Sequence, residues 1–321
     1  MEIKFWGTRG STPRCMSDAS ALDLLERLVG NAKKQKITDL DAFLAAAKEK
    51  KLGNPLVFGG NTPCTEIIHE GKSYFVDMGT GLREAGTFYL GKQKEFIFFL
   101  THLHWDHIMG LLFFIPIFIP GHKIVIHHIH GNAPAQVKIL FNGMNFPIKW
   151  EALSANIEFR ELKIYQATQF GDLTVTPFVL DHPGGCFGYR FDGGGKSVSI
   201  GVDGEYTRIS RQDLGADLKY YQNLDYLVFD AQYDLNELVN KFDWGHCSPL
   251  LGIDLALREG IRNLVFLHHD PWASEEKLLS TMRKSQKYLA NNIASFQSVW
   301  DPLEQNGPNL ILSYDGLTLQ V

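Results

Sequence analysis

Thr101-His102-Leu103-His104-Trp105-Asp106-His107 follows directly on the apolar run Phe96-Ile97-Phe98-Phe99-Leu100. The run reads as a buried strand, and His102, His104, Asp106 and His107 then crowd at its end. Imidazole nitrogen and carboxylate oxygen are donors that zinc and other first-row divalent ions accept. His102 and His104 are two residues apart, so an extended backbone sends both side chains the same way. Asp106 keeps that alternation and His107 breaks it. The chain must therefore turn here, and the group could serve two neighbouring ions. So many desolvated donors without a partner would be costly, which weighs a metal reading above a plain His-rich loop.

Composition sets the bounds. At 321 residues and 45% hydrophobic content the chain can bury a sizeable core. Its 30 Gly and 22 Phe fit a strand-rich α/β protein better than a helical bundle. A net charge of −5, with no long Lys/Arg run, speaks against a nucleic-acid patch. Cys15, Cys64, Cys186 and Cys247 form no CxxC pair, so neither a thiolate metal site nor a disulfide framework is expected. Met1 leads straight into the strand pattern Glu2 to Trp6, so no leader is expected and a reducing cytoplasm is the default location. The apolar stretch Leu111 to Pro120 is too short and Pro-broken to span a bilayer.

Outward from the motif, the strand 2–6 runs into Gly7-Thr8-Arg9-Gly10-Ser11-Thr12-Pro13. This turn lacks the Lys-Ser/Thr ending of a phosphate loop and is expected near the metal site. Residues 17–53 read as two amphipathic helices inserted between strands. Ser17/Asp18 can cap the first, which carries Leu22, Leu25, Leu28 and Val29. Thr38 with Asp41 resembles a capping box for the second. Leu40, Phe43, Leu44 and Ala47 follow at helical spacing, and Gly53 can end it. The insertion could be a lid, a homodimer contact or a packed excursion.

Thr65 to His69 and Ser73 to Val76 form a hairpin around Glu70-Gly71. The second strand ends in Asp77, placed to accept the N–H of a ligand His and fix its tautomer. Ile108 to Phe118 is helix-like, ended by Pro116 and Pro120. His127, His128 and His130 read as an edge-strand face rather than ligands, and residues 132–145 look helical and mobile. A charged amphipathic helix at 274–295 and a hairpin turning at Asp315-Gly316 close the chain.

Further apolar strands repeat the first motif's placement. They deliver His182, Asp203, Asp230 and His268 at their C-terminal tips. Together with His102, His104, Asp106 and His107, this argues for one polar, metal-binding edge on a rigid strand scaffold. His246 stands apart. Ser248 and Pro249 open a helix just after it, which puts His246 at a helix N-terminus where anions are favoured.

This constellation, in this order, resembles the metallo-β-lactamase superfamily. Gly-Thr-Arg-Gly-Ser near the start, Gly-Gly-Asn-Thr, Asp-Ala-Gln-Tyr at 230–233 and Gly-His-Cys-Ser are similar to its phosphodiesterase-like branch, which includes RNase Z and cyclic-nucleotide phosphodiesterases. The resemblance implies one four-layer αββα domain over 1–321, with 17–53 as a helical insertion foreign to the pattern. It implies that His102, His104 and His182 bind one divalent ion and Asp106, His107 and His268 a second, with Asp203 bridging. His268 is preferred to His269 by its His-x-x-Pro spacing. It also implies His246 as proton donor or phosphate clamp, supported by Asp230, and Asp106 as both ligand and orienter of the nucleophile.

Two ions about 3.5–4 Å apart, zinc first and manganese or iron next, can share a hydroxide and bind a phosphate oxygen. The expected activity is hydrolysis of a small phosphodiester such as a cyclic nucleotide. Ester, lactone, thioester or sulfate-ester hydrolysis, tRNA processing and metal-dependent sensing are the alternatives. RNase Z grips tRNA with a basic arm that this sequence lacks. Polynucleotide affinity rests largely on Lys/Arg, so long nucleic acid is a poor fit, and no membrane contact is expected.

Overall fold

A computed structural model describes residues 1–49, 51–52, 57–208, 210–296 and 307–321. Two seven-stranded sheets are built in chain order. The first contains β1 (Glu2–Gly7), β2 (Cys64–His69), β3 (Lys72–Val76), β4 (Glu95–Phe99), β5 (Lys123–His128) and β6 (Asn156–Glu161). The second contains β7 (Thr168–Phe170), β8 (Leu173–Leu180), β9 (Cys186–Gly193), β10 (Lys196–Gly201), β11 (Tyr226–Asp230), β12 (Asn263–Leu267) and β13 (Asn309–Leu312). The last strand, β14 (Thr318–Gln320), returns to the first sheet beside β1. Each sheet has an antiparallel half and a parallel half, the parallel one being β3 to β6 in one sheet and β10 to β13 in the other.

Apolar side chains sort into three layers. Ile3, Phe5, Ile67, Phe99, Val175, Tyr189, Val228 and Val265 meet between the sheets. Phe75, Phe96, Phe98 and Ile126 face outward from the first sheet and pack on Leu82, Leu111 and Phe114. Phe229, Leu264 and Phe266 face outward from the second, towards Ile253, Ala256 and Leu257 of the helix Pro249–Glu259. Period-two alternation on strands buried on both faces produces this αββα order. It matches the four-layer expectation. Among the described residues no helix is long and apolar enough to cross a membrane.

The hairpin at Glu70-Gly71 forms as expected, with positive φ at both residues (49° and 73°). Gly194-Gly195 turns β9 into β10 in the same way. Several expectations need correction. The final segment is no hairpin, because β13 pairs with β12 in the second sheet while β14 pairs with β1 in the first. The Asp315 carboxylate fixes that crossing by accepting from the Gly60 and Asn61 amides and the Thr8 hydroxyl, each at 2.9 Å. His127 and His128 lie on no edge, since β5 sits between β4 and β6. Between 132 and 145 only Ala133–Ile139 is helical. Residues 108–118 form a short helix, Trp105–Ile108, and two 3₁₀ turns, with Pro116 inside the second.

The insertion does contain two helices, Asp18–Lys34 and Leu40–Lys48. Ser17 caps the first as expected. The second is capped by Asp39, whose carboxylate accepts from the Ala42 amide, in place of Thr38. Leu28, Ala32, Ala46 and Leu52 bury against one another. Leu22, Leu25 and Val29 face solvent. The stop expected at Gly53 lies outside the described residues.

Candidate metal centre

The carboxyl ends of β3, β4, β8, β10, β11 and β12 converge at one edge of the sandwich. Sheets of this class present their sites beyond the carboxyl ends of parallel strands. Three of these strands stop on a non-glycine residue in the left-handed region: Asp77 (φ 64°), Asp203 (φ 62°) and His268 (φ 61°). Asp and His tolerate that conformation better than most residues. The reversal swings each side chain off the sheet into the edge.

Two donor triads result, His102/His104/His182 and Asp106/His107/His268, the ligand atoms of each within 4.8 Å of one another. Asp203 lies near the second, its carboxylate 3.0 Å from His107 Nε2 and 3.1 Å from His268 Nε2. It also groups with His102 and His107. These are the seven positions named from sequence, brought together. His269 is not with them. It is buried, and its Nε2 donates to the Ser313 carbonyl at 2.9 Å.

Four of the five imidazoles, those of His102, His107, His182 and His268, are held in a defined tautomer. His107 Nδ1 donates to Asp77 at 2.7 Å, as expected of Asp77. His268 Nδ1 donates to Gln232 Oε1 at 2.6 Å, and His182 Nδ1 to the Gly245 carbonyl at 2.9 Å. The Thr101 hydroxyl donates to Asp77, so it accepts from His102 Nδ1 at 3.0 Å. Every one of these bonds fixes the proton on Nδ1 and leaves a bare lone pair on Nε2. The His107 and His268 Nε2 atoms then face each other at 3.4 Å, beside Asp106. Lone pairs meeting lone pairs in a buried site are repulsive unless a cation sits among them. His102 Nε2 and Asp203 Oδ2 are moreover buried without any hydrogen-bond partner. The donor set therefore fits divalent cations, and these clusters could hold them.

The electrostatics agree. Burial opposes charging His107, yet Asp203, Asp106 and Asp77 push its pKa well above the ordinary imidazole value. Burial also opposes ionising Asp203, yet His268 and His107 hold it well below the usual carboxylate range. Carboxylates that favour a proton on His107 favour any cation at that place.

His246 and Asp230 sit beside the triads. His246 Nδ1 is 2.9 Å from Asp230 Oδ2, and the other Asp230 oxygen accepts from the Cys247 and Gln232 amides. The His246 ring stacks on His268 at 4.7 Å, with Tyr233 at 5.7 Å. Ser248 caps the following helix through its hydroxyl, as expected.

Close backbone approach explains two glycines. A Cβ on Gly10 would lie 2.3 Å from the His268 ring, and one on Gly245 1.7 Å from His182 Nδ1. The Gly-rich turn after β1 belongs to the site as expected, because the Ser11 amide donates to Asp106 Oδ2 at 2.7 Å. Gln232 and Thr101 received no role from sequence. An amide or hydroxyl next to a ligand strand carries no spacing signal, and only its partner atom reveals its use.

A family model described as a beta-lactamase superfamily domain matches residues 93–269, more than half of the chain. The chain belongs to that superfamily. No curated protein matches it. Among solved structures, a diphosphatase of the PhnP family is 16% identical with a TM-score of 0.60, covering 100% of this chain and 97% of its own. Zinc-bound PqqB from Methylobacterium extorquens is 14% identical, with a TM-score of 0.61 and 100% of both chains covered. The short form of human tRNase Z is 15% identical, with a TM-score of 0.58 over 100% of this chain and 99% of its own. At these identities the likeness establishes the metallo-β-lactamase fold.

Proposed function

We propose that this superfamily member is a di-metal hydrolase of small phosphodiesters, with cyclic nucleotides the expected kind. The observation that carries the reading is the His246–Asp230 pair set against two donor triads. In this reading His102, His104 and His182 hold one cation and Asp106, His107 and His268 the other, with Asp203 between them. Zinc suits this His/Asp set, as do manganese and iron. Bound there, two such cations would lower the pKa of a shared water and neutralise a phosphate oxygen.

The chain's own residues do the rest. Asp77, Thr101, Gly245 and Gln232 keep four imidazoles aimed. Ser11 N–H orients the Asp106 carboxylate. Asp230 holds His246 by Nδ1, so Nε2 can carry a proton to the departing alkoxide, worth roughly 10²–10⁴-fold. Carbonyl esters and lactones need less help with the leaving group, which is why the pair favours diesters. Likeness in fold to a diphosphatase and to tRNase Z supports phosphate chemistry. A net charge of −5 favours a small substrate over long RNA. The chain is read as one cytoplasmic domain carrying a helical insertion.

Purified protein loaded with zinc or manganese is expected to cleave bis(p-nitrophenyl) phosphate. Asp106→Ala should abolish turnover, and His246→Ala should slow the diester far more than a carbonyl ester. Full metal occupancy with no diesterase activity would sink the reading.

A further inference from the structure

Tryptophan is among the costliest side chains to leave in water, because it exposes a large apolar surface. Of the described tryptophans, Trp6 is buried and Trp150 half-buried against Phe141. The other three are exposed, Trp105 by 73%, Trp244 by 59% and Trp272 by 84%. All three lie on the loops that build the candidate centre. Trp105 stands between His104 and Asp106 and opens the short helix Trp105–Ile108. Trp244 precedes Gly245, whose carbonyl accepts from His182 Nδ1. Trp272 follows His268 by four residues, and its amide donates to Asp270 Oδ1. Exposed tryptophan is thus confined, among the described residues, to the surroundings of the site. His104 is itself exposed, and its ring lies 4.9 Å from His182. The centre therefore opens to solvent at His104, the chain neighbour of Trp105, and Trp244 adjoins Gly245, whose carbonyl meets the other ring of that pair.

We infer that Trp105, Trp244 and Trp272 form a stacking rim that selects phosphodiesters bearing a planar aromatic group, a nucleobase above all. The inference rests on the phosphodiesterase reading and adds the substrate's non-reacting half. Bases stack on aromatic side chains with little dependence on sequence, because every base has a π-face. A lipid surface fits less well. Membrane-facing aromatics are accompanied by many Lys/Arg, whereas these rings adjoin His104, Asp106, Asp243 and Asp270 on a chain of net charge −5, against which Lys241, 5.4 Å from the Trp244 ring, sets one positive charge.

The test compares adenosine 3′,5′-cyclic monophosphate with the corresponding base-free cyclic ribose phosphate, on the metal-loaded enzyme. The wild type is expected to prefer the nucleotide in kcat/KM. Trp105→Ala and Trp244→Ala should each cut that preference roughly tenfold through KM, and Trp105→Phe should restore most of it. The second readout is quenching of intrinsic fluorescence by the nucleotide on metal-free protein, which the Ala variants should weaken. Equal handling of both substrates, or Ala variants that keep the preference and the quenching, would overturn the rim. So would capture by phosphatidylcholine vesicles that the same variants abolish, which would mark a lipid surface. If the nucleotide quenches the wild type and not the Ala variants, while no diester is turned over with full metal occupancy, the rim stands and the phosphodiesterase reading falls.

Discussion

Asp77 is neither among the donor atoms of the two triads nor exposed, yet much of the site hangs on it. It ends β3 in the left-handed region (φ 64°) and is buried. One oxygen accepts from His107 Nδ1, and both accept from Thr101, whose hydroxyl in turn accepts from His102 Nδ1. One carboxylate thus sets the tautomer of an imidazole in each triad. Asp77→Asn keeps the shape and removes the charge. Its amide must present either a donor or a weaker acceptor to His107. Loss of such a partner typically costs 10–100-fold in metal affinity. Zinc competition against a chromogenic chelator should show that loss, with secondary structure unchanged by circular dichroism. Unaltered zinc affinity would remove Asp77 from the site. The position was legible in the sequence because an acid at the tip of an apolar strand has few other uses. Its link to His102 through Thr101 was not, because a threonine after a strand has no distinctive pattern.

At the scale of elements, strand tips were the readable feature. Apolar runs of 5–8 residues ending in His or Asp locate β4, β8, β10, β11 and β12 and what each delivers. Partner choice was less readable. Asp315-Gly316 announces a turn, and turns do not encode whether the next strand stays in the same sheet. What decides is remote. Asp315 reaches back to Thr8, Gly60 and Asn61, and so ties the β13–β14 crossing to the two loops behind the metal edge. In the helical insertion, apolar spacing marked Leu22, Leu25, Leu28 and Val29, and of these Leu28 is buried, because the small Ala32 and Ala46 let the two helices close on it while the other three stay exposed. Asp315→Ala would strip an acceptor from two backbone amides. Leaving such donors unpaired costs about 1–3 kcal/mol. The melting temperature of metal-free protein should fall by several degrees. A variant as stable as the wild type would show that the loops hold the crossing without it.

For the whole molecule, stability depends on the layer between the sheets, and that layer is lined by an imidazole without a hydrogen-bond partner. His127 comes from β5 of the first sheet. It stacks on Phe99 at 5.0 Å and meets Phe170 of the second sheet edge-on at 5.3 Å. Neither ring nitrogen has a hydrogen-bond partner. Burial, helped by Arg160 and His128, brings its pKa down from 6.5 to about 4. The folded protein therefore keeps His127 neutral in a range where the unfolded chain takes up a proton. Proton uptake by the unfolded state destabilises the fold as pH falls. The contribution is intact above pH 6.5 and is lost progressively down to about pH 4. Near 1.4 kcal/mol per pH unit, it amounts to roughly 3 kcal/mol across that window. Burial also lowers the pKa of His102, His104 and His182 at the metal edge, so the wild-type curve alone does not isolate His127. His127→Phe does, because it preserves an aromatic ring between Phe99 and Phe170 and removes the proton site. Urea midpoints of the two metal-free proteins at pH 7 and pH 4.5 give the comparison. The variant is expected to lose less stability on acidification than the wild type. Parallel losses would mean that the ring escapes to water before it charges, and that acid acts on this fold through the metal edge alone.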